Sequence, residues 1–156
     1  MKKLLLFLLI STFSFAQQTA QVVPASYQVS KKVLVKEFSY QDLITFFNSK
    51  MQIQNEDLSE NINRCKYIIQ DAKTKQDFGT VQAFSFILNG LQQADKMGNK
   101  NDAWFKVYDN EGSYNFYTGD EKFIGRVYKE KLDEDFSQNP NKNEVFLMNF
   151  MYISIE

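Results

Sequence analysis

The stretch WFKVYDNEGSYNFYTGDEKFIGRVY, residues 104–128, sets eight aromatic residues into twenty-five positions and separates them with turn formers. Residues 103–109, 113–118 and 122–130 alternate as strands do, and NEG and TGDE supply the turns, so the stretch predicts a three-stranded antiparallel meander. Because side chains on a strand alternate between faces, the meander divides into two sets. One register gives an inner face of Phe105, Val107, Tyr114, Phe116, Phe123 and Val127. It leaves Trp104, Lys106, Tyr108, Tyr117, Arg126 and Tyr128 on the outer face.

That outer set is the candidate binding surface. Trp, Tyr and Arg offer large rigid contact area with a polar tip, the composition that dominates protein–protein recognition. The competing reading is structural: aromatic residues are favoured in sheets, and cross-strand aromatic pairs contribute roughly 0.2 to 1 kcal/mol each. Gly119 is expected to serve its turn, and Gly125 to relieve crowding or mark a bulge.

Upstream, the periodicity changes from two to between three and four. Val33 and Val35 in KKVLVKEF predict a first strand near 31–38. Ser39 stands where a helix N-cap belongs, with Asp42 three residues on, and Tyr40, Leu43, Phe47 and Met51 then mark a helix over about 40–52. A second helix begins near Asp57, with Leu58, Ile62, Cys65, Ile69 and Ala72 on one stripe. Residues 77–97 carry two patterns at once. Val81, Phe84, Leu88 and Leu91 form a helical stripe, whereas Phe84, Phe86 and Leu88 alternate up to Asn89-Gly90, a hairpin-turn pair. LQQADKM makes a poor return strand, so helix is the preferred reading and a mostly-β chain the alternative.

Downstream, KLDEDFSQNPNKN reads as a long polar loop over 131–143 containing Pro140. The last run, EVFLMNFMYISIE, is apolar at both parities and predicts a central strand covered on both sides. Together these elements predict an α+β fold. Two or three amphipathic helices pack on one face of an antiparallel sheet built mainly from residues 103–155.

The N-terminus, MKKLLLFLLISTFSFA, has two lysines, an apolar run from Leu4 to Ile10, and Ser14 and Ala16 before a cut. This is the layout of a signal peptide over residues 1–16. The apolar run is shorter than the roughly 20 residues that span a bilayer. A loosely ordered leader is expected over 17–30 and a single domain over 31–156. The 18 basic residues less Lys2 and Lys3 leave 16 against 19 acidic ones, a formal charge of −3. No clustered basic face suggests nucleic acid, and no later segment is apolar enough to span a membrane. The expected location is periplasmic or secreted.

The chain has no histidine and one cysteine, Cys65. Without an imidazole there is no Ser-His-Asp or Cys-His arrangement, and ordinary zinc sites are excluded as well. Cys65 falls on an apolar helical stripe, where it acts as a small hydrophobe. DNEGSYNFYTGDE does not match a calcium loop. No catalytic residue, metal or cofactor is expected.

These exclusions point to an exported, non-enzymatic binding protein that contacts another envelope or extracellular protein, as an inhibitor, a toxin-neutralising partner or an assembly accessory. Two alternatives remain. One is a carrier of a small apolar ligand between helices and sheet. The other is a glycan hydrolase using carboxylates among Asp120, Glu121, Asp133, Glu134 and Asp135.

Overall fold

The computed structural model describes residues 20–21, 33–53 and 57–155. The expected signal peptide, and the expected leader apart from Ala20 and Gln21, lie outside the described residues. The fold is α+β, and the chain divides into two compact units.

The first unit, Ser39–Asp102, contains three helices: α1 (Tyr40–Met51), α2 (Leu58–Thr74) and α3 (Phe78–Lys96). Each starts on a side chain that accepts from an otherwise unpaired first-turn N–H. Ser39 and Asp42 form a reciprocal capping box ahead of α1. Asp57 caps α2 through the Ser59 N–H, and Asp77 caps α3 through that of Thr80. α3 packs along α2 and also meets α1. Of the predicted stripes, Leu43 and Phe47 in α1, Cys65, Ile69 and Ala72 in α2, and Phe84 and Leu91 in α3 are buried and the remaining members half-buried, while Ile44, Ala83, Ile87 and Ala94 are buried beside them. Residues 77–97 therefore resolve as helix. Asn89-Gly90 lies within α3, and Gly90 is buried there.

The stripes also passed over a buried amide. Asn61, expected off the apolar face, is fully buried and donates from Nδ2 to Asn48 Oδ1 at 2.8 Å.

The second unit holds the sheet and its own two helices. The strands are β1 (Ala20–Gln21), β2 (Val33–Ser39), β3 (Ala103–Asn110), β4 (Ser113–Thr118) and β5 (Phe123–Tyr128). Their spatial order is β1-β5-β4-β3-β2, and β3, β4 and β5 form the expected antiparallel meander. Between β4 and β5, Phe116 faces Gly125 but Tyr117 faces Phe123, so Ile124 is the extra residue of a bulge beside Gly125. In the second turn a Cβ on Gly119 would lie 1.9 Å from the Ala103 carbonyl oxygen. Gly119 is thus required by close backbone approach, while the left-handed residue of that turn is Glu121, at φ 70°.

Two expectations for the C-terminal third are corrected. Residues 131–143 are not a long loop, because Lys129–Gln138 form helix α4. KEKLDEDF consists largely of helix-tolerant residues, and it places Leu132 and Phe136 four apart on one face. Leu132 is fully buried and the Phe136 ring meets Phe146 edge-on at 5.5 Å. Pro140 follows the helix instead of interrupting a loop, as it commonly does past a C-terminus.

The final run is helix α5, Lys142–Ile155, and not a central strand. Residues 145–151 are all buried, so α5 is covered on every side, and a helix buried all round has no polar stripe to reveal its period. The sheet consequently ends at Tyr128, and the apolar run covers it as a helix. Phe150 stacks on Phe105 at 3.9 Å, Phe146 meets Tyr114 and Phe116 edge-on, and Phe105 also stacks on Phe38 at 4.4 Å.

Candidate functional site

The register confirms which meander residues share a face. Phe105, Val107, Tyr114, Phe116 and Val127 lie on the side that meets α5, as expected. Phe123 does not: the bulge transfers it to the face of Tyr117, whose ring it contacts at 5.3 Å.

The six candidate binding residues separate into three environments. Trp104 is only 7% exposed and meets the rings of Phe105 and Phe150 edge-on at 5.5 and 5.3 Å. It lies at the start of β3, ahead of the first β3–β4 pair, and its indole contributes to the aromatic core. Tyr117 is also buried, held edge-on between Tyr108 at 5.2 Å and Phe123.

Lys106 and Tyr108 converge on Glu121. Lys106 Nζ donates to Glu121 Oε1 at 2.6 Å, and the Tyr108 hydroxyl donates to the same oxygen at 3.1 Å. Glu37 adds a longer ion pair to Lys106 at 3.7 Å. The hydrogen bond to Glu121, followed by its charge and that of Glu37, raises the Lys106 pKa against a smaller desolvation effect. Lys106 is therefore held as an ammonium, which suits a fixed charge and not a nucleophilic amine.

Arg126 and Tyr128 form the third environment, at the other end of the same face. The guanidinium carbon lies 5.3 Å from the Tyr128 ring centre, within cation–π range. Directly opposite Arg126 on β4 is Asn115, a residue absent from the sequence-derived set. Asn115 is fully buried, and its Oδ1 accepts from the Ser113 hydroxyl at 3.3 Å. That bond orients the amide and leaves Nδ2 buried with no acceptor, and Arg126 Nε is buried in the same condition.

Two donors on directly opposed residues thus lack acceptors on one sheet face. Buried polar groups are nearly always paired, so this corner is electrostatically incomplete. Ser113 and Asn115 alternate with Tyr114 and Phe116 and so read as ordinary outward-facing polar residues, which is why the sequence does not signal this corner.

Four of the five carboxylates considered for hydrolysis are engaged locally, Glu121 as described above. Asp120 accepts from the Thr118 hydroxyl, Glu134 pairs with Lys131 at 2.6 Å, and Asp135 accepts weakly from Asn149 at 3.4 Å. Burial raises the Asp135 pKa, opposed by the Asn149 hydrogen bond and the Lys131 charge. Among the described residues, no group of three or more Asp, Glu or Cys is placed to hold a metal ion. Nor is any described helix long and apolar enough to cross a membrane.

The chain matches no protein-family model, and no curated protein or solved structure is significantly similar to it.

Proposed function

We propose that the chain is an exported, non-enzymatic binding protein that contacts another polypeptide of the envelope or extracellular space at the Asn115–Arg126–Tyr128 corner. The observation that carries this reading is Arg126, half-buried against the exposed Tyr128 ring with its Nε lacking an acceptor; Asn115, fully buried opposite it, carries a second donor without one. A polypeptide supplies acceptors in abundance, as backbone carbonyls and as carboxylates. Arg126 meets a carboxylate with charge as well as a hydrogen bond, which makes that contact the stronger one. Tyr128, 41% exposed beneath the guanidinium, adds the rigid aromatic surface that binding sites favour.

The sequence supports the same reading through its export layout and its lack of histidine. Inhibitors, toxin-neutralising partners and assembly accessories all work by such contacts.

The test uses the exported protein with Arg126→Met, which retains bulk and removes the donor. Proteins cross-linked to wild type in envelope extracts are compared with those of the variant, and acetate is titrated against the Arg126 Nε–H resonance. Loss of a discrete cross-linked species together with an acetate-dependent shift is the expected result. An identical cross-linking pattern and an unmoved resonance would reject the proposal.

A further inference from the structure

β2 is an edge strand: it neighbours β3 on one side, and no described strand pairs with it on the other. An edge of this kind presents unpaired N–H and C=O groups, and soluble proteins normally protect it with charge, proline or a bulge. β2 lacks that protection where it matters. Val33, Leu34 and Val35 are 62%, 48% and 42% exposed in succession. Of the charged residues that follow, Lys36 is half-buried with its Nζ 5.4 Å from the Phe38 ring centre, and Glu37, though exposed, is paired with Lys106 at 3.7 Å.

The exposed triplet is also a palindrome. Two copies joined edge to edge in one continuous antiparallel sheet are related by a two-fold axis perpendicular to it, which pairs residues of like parity. With the axis at Leu34, Leu34 faces its own copy and Val33 faces Val35 twice, so all six exposed aliphatic side chains become direct cross-strand neighbours. Moving the axis to Val35 sets Val33 against Glu37 and Leu34 against Lys36. Moving it to Lys36 sets Val33 against Ser39, Leu34 against Phe38 and Val35 against Glu37, so the triplet no longer meets itself.

We infer that β2 is a self-association edge, at which a second copy of this chain pairs antiparallel in the register centred on Leu34. The partner is a second copy because the exposed sequence is complementary to itself on both faces of the strand. The arrangement is isologous and closes at two, so it satisfies the edge without propagating a fibre. It also lies on a different strand from the Asn115–Arg126 corner, so either reading can fail without the other.

The register is tested by cysteine cross-linking, which the chain favours because its own Cys65 is buried. Leu34→Cys is expected to form a disulfide-linked dimer under mild oxidation, since directly opposed Cβ atoms lie about 4.5 to 5.5 Å apart. Val33→Cys alone is expected not to cross-link, whereas an equimolar mixture of Val33→Cys and Val35→Cys is. Separately, sedimentation equilibrium of wild type is expected to show a monomer–dimer equilibrium that Leu34→Lys weakens at least tenfold. Leu34 is exposed, so that change leaves the fold intact, as circular dichroism will verify. A wild-type chain that remains monomeric up to its solubility limit, or a dimer indifferent to Leu34→Lys, would overturn the inference. Cross-linking of Leu34→Cys equal to that of Val33→Cys alone would overturn the register.

Discussion

In the helical unit every helix begins on a side chain that closes its first turn, and each buries a stripe spaced at three and four residues. In the sheet unit α4 begins at Tyr128 with no side-chain cap, and α5 is buried from residue 145 to 151 without interruption. The first unit is specified locally, so its elements are encoded in short windows of sequence. The second is specified by packing between distant residues, as when Phe150 stacks on Phe105. Removing a single ring contact should therefore cost the sheet unit more than removing a single cap costs the helical unit. The chain carries one natural reporter in each: Cys65, the only cysteine, in α2, and Trp104, the only tryptophan, in β3.

The largest effect is expected from Phe150→Ala, which deletes the stacked contact to Phe105 and the edge contact to Trp104. Truncation of a buried phenylalanine costs about 3 to 5 kcal/mol, and the Trp104 fluorescence midpoint in urea should fall accordingly. Labelling of Cys65 by a thiol reagent reports the other unit at the same denaturant concentrations. If the expected single domain unfolds as one, the two midpoints fall together; a fall confined to Trp104 would show that the units unfold separately.

Such labelling is best done near pH 8. Burial pushes the folded Cys65 thiol up to about 12, against about 8.5 in an unfolded chain. Because the folded value is the higher, this contribution to stability is complete below the unfolded pKa and is lost as pH rises toward 12. Stability should therefore decline with pH above about 9, a slope that Cys65→Ala removes.

Next in size is Asp77→Ala in the helical unit. The carboxylate accepts from the Thr80 N–H at 3.1 Å and from the Thr80 hydroxyl at 2.7 Å, and Thr80 is buried. Losing the cap and stranding that hydroxyl should together cost about 1 to 2 kcal/mol, read as faster Cys65 labelling. A loss as large as that of Phe150→Ala would break the contrast between the units.

A change of opposite sign is expected from Asn115→Val. The substitution removes a buried donor that has no acceptor, while Ser113 retains the Asn110 carbonyl at 3.4 Å. Replacing an unsatisfied polar group by an apolar one should stabilise the free protein by about 1 kcal/mol, raising the Trp104 midpoint. If stability falls instead, the amide is already satisfied in the free protein and the corner is structural.

The same contrast accounts for what could be read from sequence. Ser39, Asp57 and Asp77 ahead of spaced apolar residues locate α1, α2 and α3, because caps and stripes act within one or two turns. The meander was legible from its alternation and turns, but the displacement of Phe123 depends on the bulge at Ile124, which alternation alone cannot place. α5 was misread because uniform burial erases the period that separates helix from strand. A local signal was nevertheless present. Asn141 Oδ1 accepts from the Glu144 N–H, so N-x-x-E immediately before the apolar run marked a helix start. Among the site residues, Arg126 and Tyr128 were accessible to alternation. Asn115 was not, because only tertiary packing determines whether a buried amide has found its partners.

The smallest effect separates burial from charge at α4. Asp135 faces Asn149 of α5 at 3.4 Å, and burial raises its pKa above the ordinary carboxylate value despite that hydrogen bond and the Lys131 charge. A carboxyl whose folded pKa exceeds its unfolded pKa stabilises the protein fully below the unfolded value, and loses that contribution as pH rises through the folded value. At pH 7 the ionised group is thus a mild liability, reduced further by solvent because it is only half-buried. Asp135→Asn keeps an acceptor for Asn149 and removes the charge, so it should raise the Trp104 midpoint at pH 7 by no more than a few tenths of a kcal/mol. The gain should disappear at low pH, below the ordinary carboxylate pKa, where the carboxyl is protonated in folded and unfolded chains alike. A gain that persists at low pH would assign the effect to packing between α4 and α5, and a loss at pH 7 would mean that the Lys131 and Asn149 contacts outweigh burial.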